Sequence, residues 1–187
     1  SLDPQDISSR LVISYVWELP FGRGKQFLGG APRAVDMALG GWQMNGITTF
    51  AAGQPVAVTN SIATQSGATR PHNLGRSAKK TGSVTSRLDA YMDASVFAAP
   101  GPFEFGTAPR TLPDVRGDGP QNFDVSLFKN FAFTERWTLQ FRAEFFNLFN
   151  TPQFGEPNGM FGNAQFNRVT TQANNPRDIQ FALRLSF

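Results

Sequence analysis

An all-β chain, folded as an antiparallel up-and-down sheet of about six strands, is what this sequence predicts, on three observations. Apolar and polar residues alternate with a period of two in several short segments. The aromatic content is mostly Phe, nineteen against three Trp and two Tyr, and many of these fall on the alternating positions. Gly, Pro, Asn and Ser gather between the segments, where the chain must reverse. At 187 residues, 40% of them hydrophobic, the chain is long enough to bury one core, so a single β domain over residues 1–187 is expected. No stretch approaches the ~20 continuous apolar residues of a membrane helix.

The first strand is RLVISYVWEL, with Leu11, Ile13, Tyr15, Trp17 and Leu19 on one face. The second, GWQMNGITTF, sets Trp42, Met44, Thr48 and Phe50 against Gln43, Asn45 and Thr49. PVAVTN, residues 55–60, is a short third. In the fourth, NFDVSLFKNFAF, Phe123, Val125, Leu127, Phe131 and Phe133 oppose Asn122, Asp124, Ser126, Asn130 and Ala132. Lys129 breaks the apolar face and Phe128 the polar one, which marks either a bulge or a long side chain reaching back to a polar boundary. The fifth, RWTLQFRAEFFNLFN, alternates Trp137, Leu139, Phe141, Ala143 and Phe145 with Arg136, Thr138, Gln140, Arg142 and Glu144. The sixth, RDIQFALRLSF, is the most regular: Ile179, Phe181, Leu183, Leu185 and Phe187 share one face.

Only TER separates the fourth and fifth strands. Residues paired on one face share parity, so a loop at Thr134–Arg136 places Phe133 opposite Trp137, Leu127 opposite Ala143 and Ser126 opposite Glu144. The second short connection is AAGQP at 51–55, and the remaining connections, about 20–40, 61–121 and 150–177, are long. Threaded up and down, the six strands put both short turns and the chain end at one end and the three long loops at the other. Transmembrane barrels of the outer-membrane type segregate loop lengths in this way, with short periplasmic turns and long external loops. A soluble β-sandwich is the alternative architecture, since a solvated sheet over a core also alternates. A hairpin around YMDASVFAAP is a further expectation within the longest connection.

The absence of cysteine removes disulfides, thiolate metal sites and cysteine nucleophiles. His72 is the only histidine and stands in a loop-like stretch without spaced partners, so no metal and no cofactor are expected. A net charge of +3 with dispersed basic residues lacks the footprint of nucleic-acid binding. The opening SLDPQDISSR has no Met, basic region or apolar region. Either a signal peptide stands upstream in a longer gene product or the chain has none, and the start reads as a cut.

SYVWELPFGRGKQF, LGGWQMNGITTFAAGQPVAVT, DASVFAAP, FDVSLFKNFAFTERWTLQFRAEFFNLFNTPQFG and RDIQFALRLSF, in this order, closely resemble the C-terminal region of acidobacterial TonB-dependent receptor-like outer-membrane proteins. These are the Oar-like proteins with an N-terminal carboxypeptidase-regulatory-like domain. The resemblance implies a Gram-negative outer-membrane location, ligand uptake or export, and membership in a 22-stranded barrel plugged by an upstream domain. Its implied partners are outer-membrane lipid, the barrel-assembly machinery, and TonB through a missing N-terminal segment. Phe181, Leu183, Leu185 and Phe187 then form the assembly signal. Six strands are too few to close, because single-chain barrels begin at about eight.

On the polar faces, Asp124, Ser126, Arg142, Glu144 and Arg184 are the expected lumen-facing residues. Asp124 lies diagonally across from Glu144, and a carboxylate pair is what glycoside hydrolysis uses as acid and base or nucleophile. The alternative function is thus a soluble fragment that binds or hydrolyses polysaccharide with Asp124 and Glu144, an oligosaccharide being its ligand, while the leading reading is not an enzyme. Trp17, Trp42, Trp137 and Tyr15 suit sugar stacking, but all lie on apolar faces, where an interfacial girdle or core accounts for them. Arg116-Gly117-Asp118 reads as a turn. GRGK, residues 22–25, lacks the rest of a phosphate loop and reads as surface. Gln54, Asn60, Asn158 and Asn163 are loop amides without a distinguishing spacing.

Overall fold

The computed structural model describes residues 2–132 and 136–187. In chain order its elements are β1 (Arg10–Glu18), the helix α1 (Arg33–Leu39), β2 (Trp42–Ala51), β3 (Thr59–Asn60), β4 (His72–Asn73), β5 (Phe97–Ala98), β6 (Gln121–Ala132), β7 (Thr138–Phe146), β8 (Met160–Phe161) and β9 (Asp178–Ser186). The chain divides into two compact units. One comprises Ser1–Arg10, Ala51–Pro120 and Pro152–Asn174, and the other Leu11–Phe50, Gln121–Thr151 and Asn175–Phe187. They are called the loop unit and the sheet unit below.

The sheet unit holds five long strands in the order β1-β2-β6-β7-β9. Long strands adjacent in sequence are neighbours in space, which is the expected up-and-down arrangement. Each has nine to twelve residues, about the length that a tilted strand needs to cross a bilayer. The β6–β7 register is as the parity argument requires, with Leu127 opposite Ala143 and Ser126 opposite Glu144. Phe133 and most of the Thr134–Arg136 turn lie outside the described residues. Pairing runs without a break through Lys129, opposite Trp42 on β2 and Phe141 on β7, so this position is not a bulge.

About six strands were expected in the sheet, one of them short, and five are found. PVAVTN leaves the sheet: Val56 and Val58 are buried in the loop unit, and only Thr59 and Asn60 pair, in parallel with β8. Six residues are too few to cross a bilayer. They are enough to place two valines in a local core, and Val56 exchanges hydrogen bonds with Val115 (3.0 Å) and Leu112 (2.8 Å). Losing one strand reverses the direction of everything after it, so the loop placement changes. The 19–41 connection lies at the end where Trp42 meets Lys129, together with the 133–137 turn and the chain terminus. The two long connections, 52–120 and 147–177, leave from the opposite end, where Phe50 meets Gln121 and Phe146 meets Asp178. The 133–137 turn and the terminus share one end as expected, but AAGQP, 51–55, lies at the other as the start of the 52–120 connection, and the 19–41 connection joins the short turn rather than the long loops.

The loop unit folds from segments whose Gly and Pro content suggested plain loop. Its core is Val56, Val58, Ala78, Tyr91, Met92, Val96, Phe97, Leu112 and Val115. Phe161 and Phe166 pack edge to face at 5.4 Å against this core, and Phe97 meets Phe166 at 6.0 Å. The hairpin expected around YMDASVFAAP does not form: its Phe97–Ala98 pairs as β5 with the distant β4, two residues long, which places His72 opposite Ala98. The buried Tyr91 hydroxyl donates to the Arg116 carbonyl at 2.8 Å; burial pushes its pKa up and keeps it a donor.

Glu156 lies against Gly117, where any Cβ would collide with its carboxylate. Crowding by the surrounding chain, with the nearby Asp118 charge, pushes its carboxyl above the usual range. A carboxyl raised in the folded state adds stability below its unfolded pKa and loses that stability as pH rises through its folded value. Glu156→Gln is therefore expected to raise the melting temperature at pH 8, with the advantage shrinking as the pH falls toward 5. Thermal unfolding of both proteins across that range checks this, and an advantage independent of pH would refute the ionisation as its cause.

Candidate functional site

The two faces of the sheet differ in chemistry along every long strand. On one face a row runs Asn45, Ser126, Glu144, Gln180 across β2, β6, β7 and β9, and beside it Gln140 pairs with Arg184. Asp124, Ser126, Arg142, Glu144 and Arg184 all belong to this face by register. Arg142 Nε lies 3.6 Å from Glu144 Oε1, and its guanidinium sits 4.6 Å from the centre of the Phe128 ring. Phe128, out of place in the alternation, therefore covers an arginine. Asp124 accepts from Asn122 Nδ2 at 2.7 Å and from the Asn147 backbone N–H at 2.9 Å. Asn147 has φ 51°, so Asp124 anchors the left-handed turn that ends β7. Each carboxylate thus has its own structural partners, and the face as a whole is polar and charge-bearing.

The opposite face carries Leu11, Ile13, Tyr15 and Trp17 of β1, Met44 of β2, Val125 and Leu127 of β6, Phe141 of β7 and Leu183 of β9. Tyr15 lies where any side chain at Gly46 would collide with its ring, which places the odd residues of β1 on this face; glycine leaves room for the aromatic cover. Much of the face is open: Phe181 and Leu183 are each 69% exposed and Phe187 is 87% exposed. A soluble core would cover such residues.

Aromatic rings cluster at the two ends of this face. At one end Phe50, Phe123 and Phe149 stack edge to face at 5.5 and 5.0 Å. At the other, Trp137 stacks on Phe187 at 5.2 Å and Trp42 meets Phe141 at 6.0 Å. Two aromatic belts flanking an apolar band are the pattern of a barrel's lipid face, which also accounts for the tryptophans without a sugar ligand. Phe181, Leu183 and Leu185 lie on β9, which among the described residues pairs only with β7, and Phe187 follows directly after it.

The remaining sequence candidates have structural roles. Arg116 donates to the Asp6 carboxylate at 2.5 Å and the Gly53 carbonyl at 3.0 Å, while Asp118 accepts from the Phe154 N–H at 2.9 Å. Both charges of the Arg-Gly-Asp tripeptide are thus spent inside the loop unit. His72 Nε2 lies 3.2 Å from Glu104 Oε2. Asn60, Asn158 and Asn163 bond neighbouring backbone in tight turns. Among the described residues no cluster of metal-ligating side chains occurs, and no helix is long and apolar enough to cross a membrane.

Lys129 is the functional-looking residue whose surroundings the sequence did not disclose. It is 2% exposed, and its ammonium donates to the carbonyls of Ala38 (3.1 Å) and Gly40 at the end of α1, above the rings of Trp42 and Phe131. A lone lysine at the strand end was the available signal; its partners come from a connection about 90 residues earlier.

A family model described as an outer membrane beta barrel domain matches residues 1–180. Searches of curated proteins and of solved structures return no match. With that model spanning nearly the whole chain, over a sheet that is open and apolar on one face and polar on the other, this protein belongs to the outer membrane beta-barrel domain family and is a protein of the outer membrane.

Proposed function

We propose that this chain is the C-terminal portion of a TonB-dependent receptor barrel that moves a ligand across the outer membrane. The carrying observation is the five-stranded sheet itself. Its strands have spanning length, its apolar face is open, and β1 and β9 each pair on one side only among the described residues. Five strands do not close a barrel, so further strands complete it. The resemblance of the quoted motifs to Oar-like receptors supplies the particular kind of barrel. In this reading Asp124, Ser126, Arg142, Glu144 and Arg184 line the lumen, and the connections 52–120 and 147–177 face outward to capture ligand. The barrel-assembly machinery reads Phe181, Leu183, Leu185 and Phe187, and TonB engages a segment upstream of this chain.

The test uses the full-length gene product purified from outer membranes and the periplasmic domain of TonB. Saturable binding between them is expected, and its absence refutes the TonB-dependent reading while leaving the barrel intact. The polysaccharide alternative is tested separately. Asp124→Ala removes the anchor of the Asn147 turn, and a loss of about 1–3 kcal/mol in stability is expected for the orphaned donors. No sugar release is expected from the parent or from the Asp124→Ala and Glu144→Ala variants. Hydrolysis by the parent that both variants abolish would establish the alternative instead.

A further inference from the structure

The 19–41 connection does more than link β1 to β2. It folds back on the sheet end: Leu19 N–H donates to the Trp42 carbonyl at 2.9 Å, and Trp42 Nε1 donates to the Ala38 carbonyl at 3.0 Å. Together with the end of β6 it borders two adjoining, half-open hollows. One, of about 400 Å³, is bounded by Arg23, Lys25, Arg33, Asp36, Lys129 and Asn130. The other, of about 370 Å³, is lined by Leu19, Phe21, Leu28, Leu39, Trp42 and Leu127. Phe21 borders both.

Charge is unbalanced in the first hollow, where four cations face one carboxylate. Lys25 is occupied by Glu18 at 2.6 Å. Arg23 Nε stands 4.0 Å from Asp36, at the limit of an ion pair, with its guanidinium open to solvent, so the pair has little strength. The Arg33 guanidinium makes no hydrogen bond or ion pair among the described residues. Lys129 gives two ammonium protons to carbonyls and lies over the Trp42 and Phe131 rings, but no carboxylate among the described residues is within ion-pair distance of its buried charge.

The apolar hollow is shaped at a cost. Leu28, one of its walls, has φ 62°, a left-handed conformation that penalises a branched side chain. Strain held in place by the surrounding chain is a mark of functional sites.

We propose that these hollows form one site for an anionic glycerophospholipid of the periplasm-facing leaflet. The phosphate lies among Arg23, Arg33 and Lys129, and an acyl chain lies along the groove of Leu19, Leu28, Leu39 and Leu127. Three observations choose this occupant. The cations have spare capacity for a phosphate, which arginine matches in geometry. The adjoining groove is apolar, which a free anion has no use for and an acyl chain does. The site sits at the sheet end opposite the long connections, which in an outer-membrane barrel is the periplasmic interface. Basic pockets at that depth select anionic head groups. The proposal rests on the outer-membrane placement and not on the transport reading.

Native mass spectrometry of the protein extracted in mild detergent tests it, with phosphatidylglycerol and phosphatidylcholine added at equal concentration. Phosphatidylglycerol is expected to be retained about tenfold more, and the double variant Arg23→Gln/Arg33→Gln to remove that preference without changing phosphatidylcholine adducts. Leu28→Gly, which keeps the left-handed backbone and empties the groove wall, is expected to weaken both adducts. Excess inorganic phosphate is expected not to displace the lipid. Equal retention of the two lipids, an unchanged preference in the double variant, or displacement by phosphate each overturns the proposal, the last in favour of a free-anion site. Both arginines are exposed, and far-UV circular dichroism confirms that the variants remain folded.

Discussion

Ile13→Arg is expected to cost the bilayer-embedded protein about 2–4 kcal/mol, whereas Ser14→Arg, one residue along, costs less than about 1 kcal/mol. Ile13 lies midway along β1 on the open apolar face, and Ser14 on the polar one. In water the difference between these two substitutions would be small, because Ile13 is already 45% exposed and an arginine there keeps its hydration. In a membrane Ile13 meets hydrocarbon, and the cost is that of bringing a cation to the bilayer midplane. Denaturant midpoints of both variants in phospholipid vesicles measure it. Equal costs at the two positions would mean that the apolar face does not contact lipid.

A comparable loss is expected in the loop unit from Asn167→Ala. Asn167 has φ 69° and is buried. Its amide accepts from the Met92 N–H at 2.6 Å and donates to the Met92 carbonyl at 2.7 Å, while its own carbonyl accepts from the Tyr91 N–H at 2.9 Å. One side chain thus serves as a strand partner for buried backbone that has no sheet neighbour. Alanine orphans both Met92 groups at about 1–3 kcal/mol each and adds a strained left-handed residue, for a total near 3–5 kcal/mol. Asn167→Asp keeps an acceptor for the N–H but no donor for the carbonyl, and is expected to lose about half as much. Hydrogen–deuterium exchange over residues 88–97 reports this without disturbing the sheet unit. Exchange at Met92 should accelerate by roughly a hundredfold or more in the alanine variant. Unchanged protection would show that the tie carries no stability.

Which parts of this molecule were legible beforehand follows from the range of the interactions involved. The β6–β7 register was readable because the connection is three residues long and parity then leaves one solution: Leu127 against Ala143. The polar and apolar faces were readable because a strand sorts its side chains by period alone. PVAVTN misled because Val56 and Val58 alternate equally well in a sheet or in a local core, and six residues do not discriminate. That one strand also changed which end the 19–41 connection occupies, since each strand gained or lost inverts the direction of those after it. The core of the loop unit left no pattern, as its members, from Val56 through Tyr91 to Leu112 and Val115, come from separated segments without a common period.

The sequence by itself determined the all-β class, the two faces of the long strands and the register of the one tight hairpin, because each depends on neighbours a few residues apart. It also carried the family resemblance, of which the match over residues 1–180 bears out the outer-membrane barrel. Only the tertiary structure decided that the long connections build a second core, that Asp124 anchors a turn while Glu144 pairs with Arg142, and that Lys129 meets the end of α1 beside an apolar groove. Those arrangements join side chains up to about 90 residues apart, as Lys129 and Gly40 are, and local periodicity carries no information about which distant segment fills a given space.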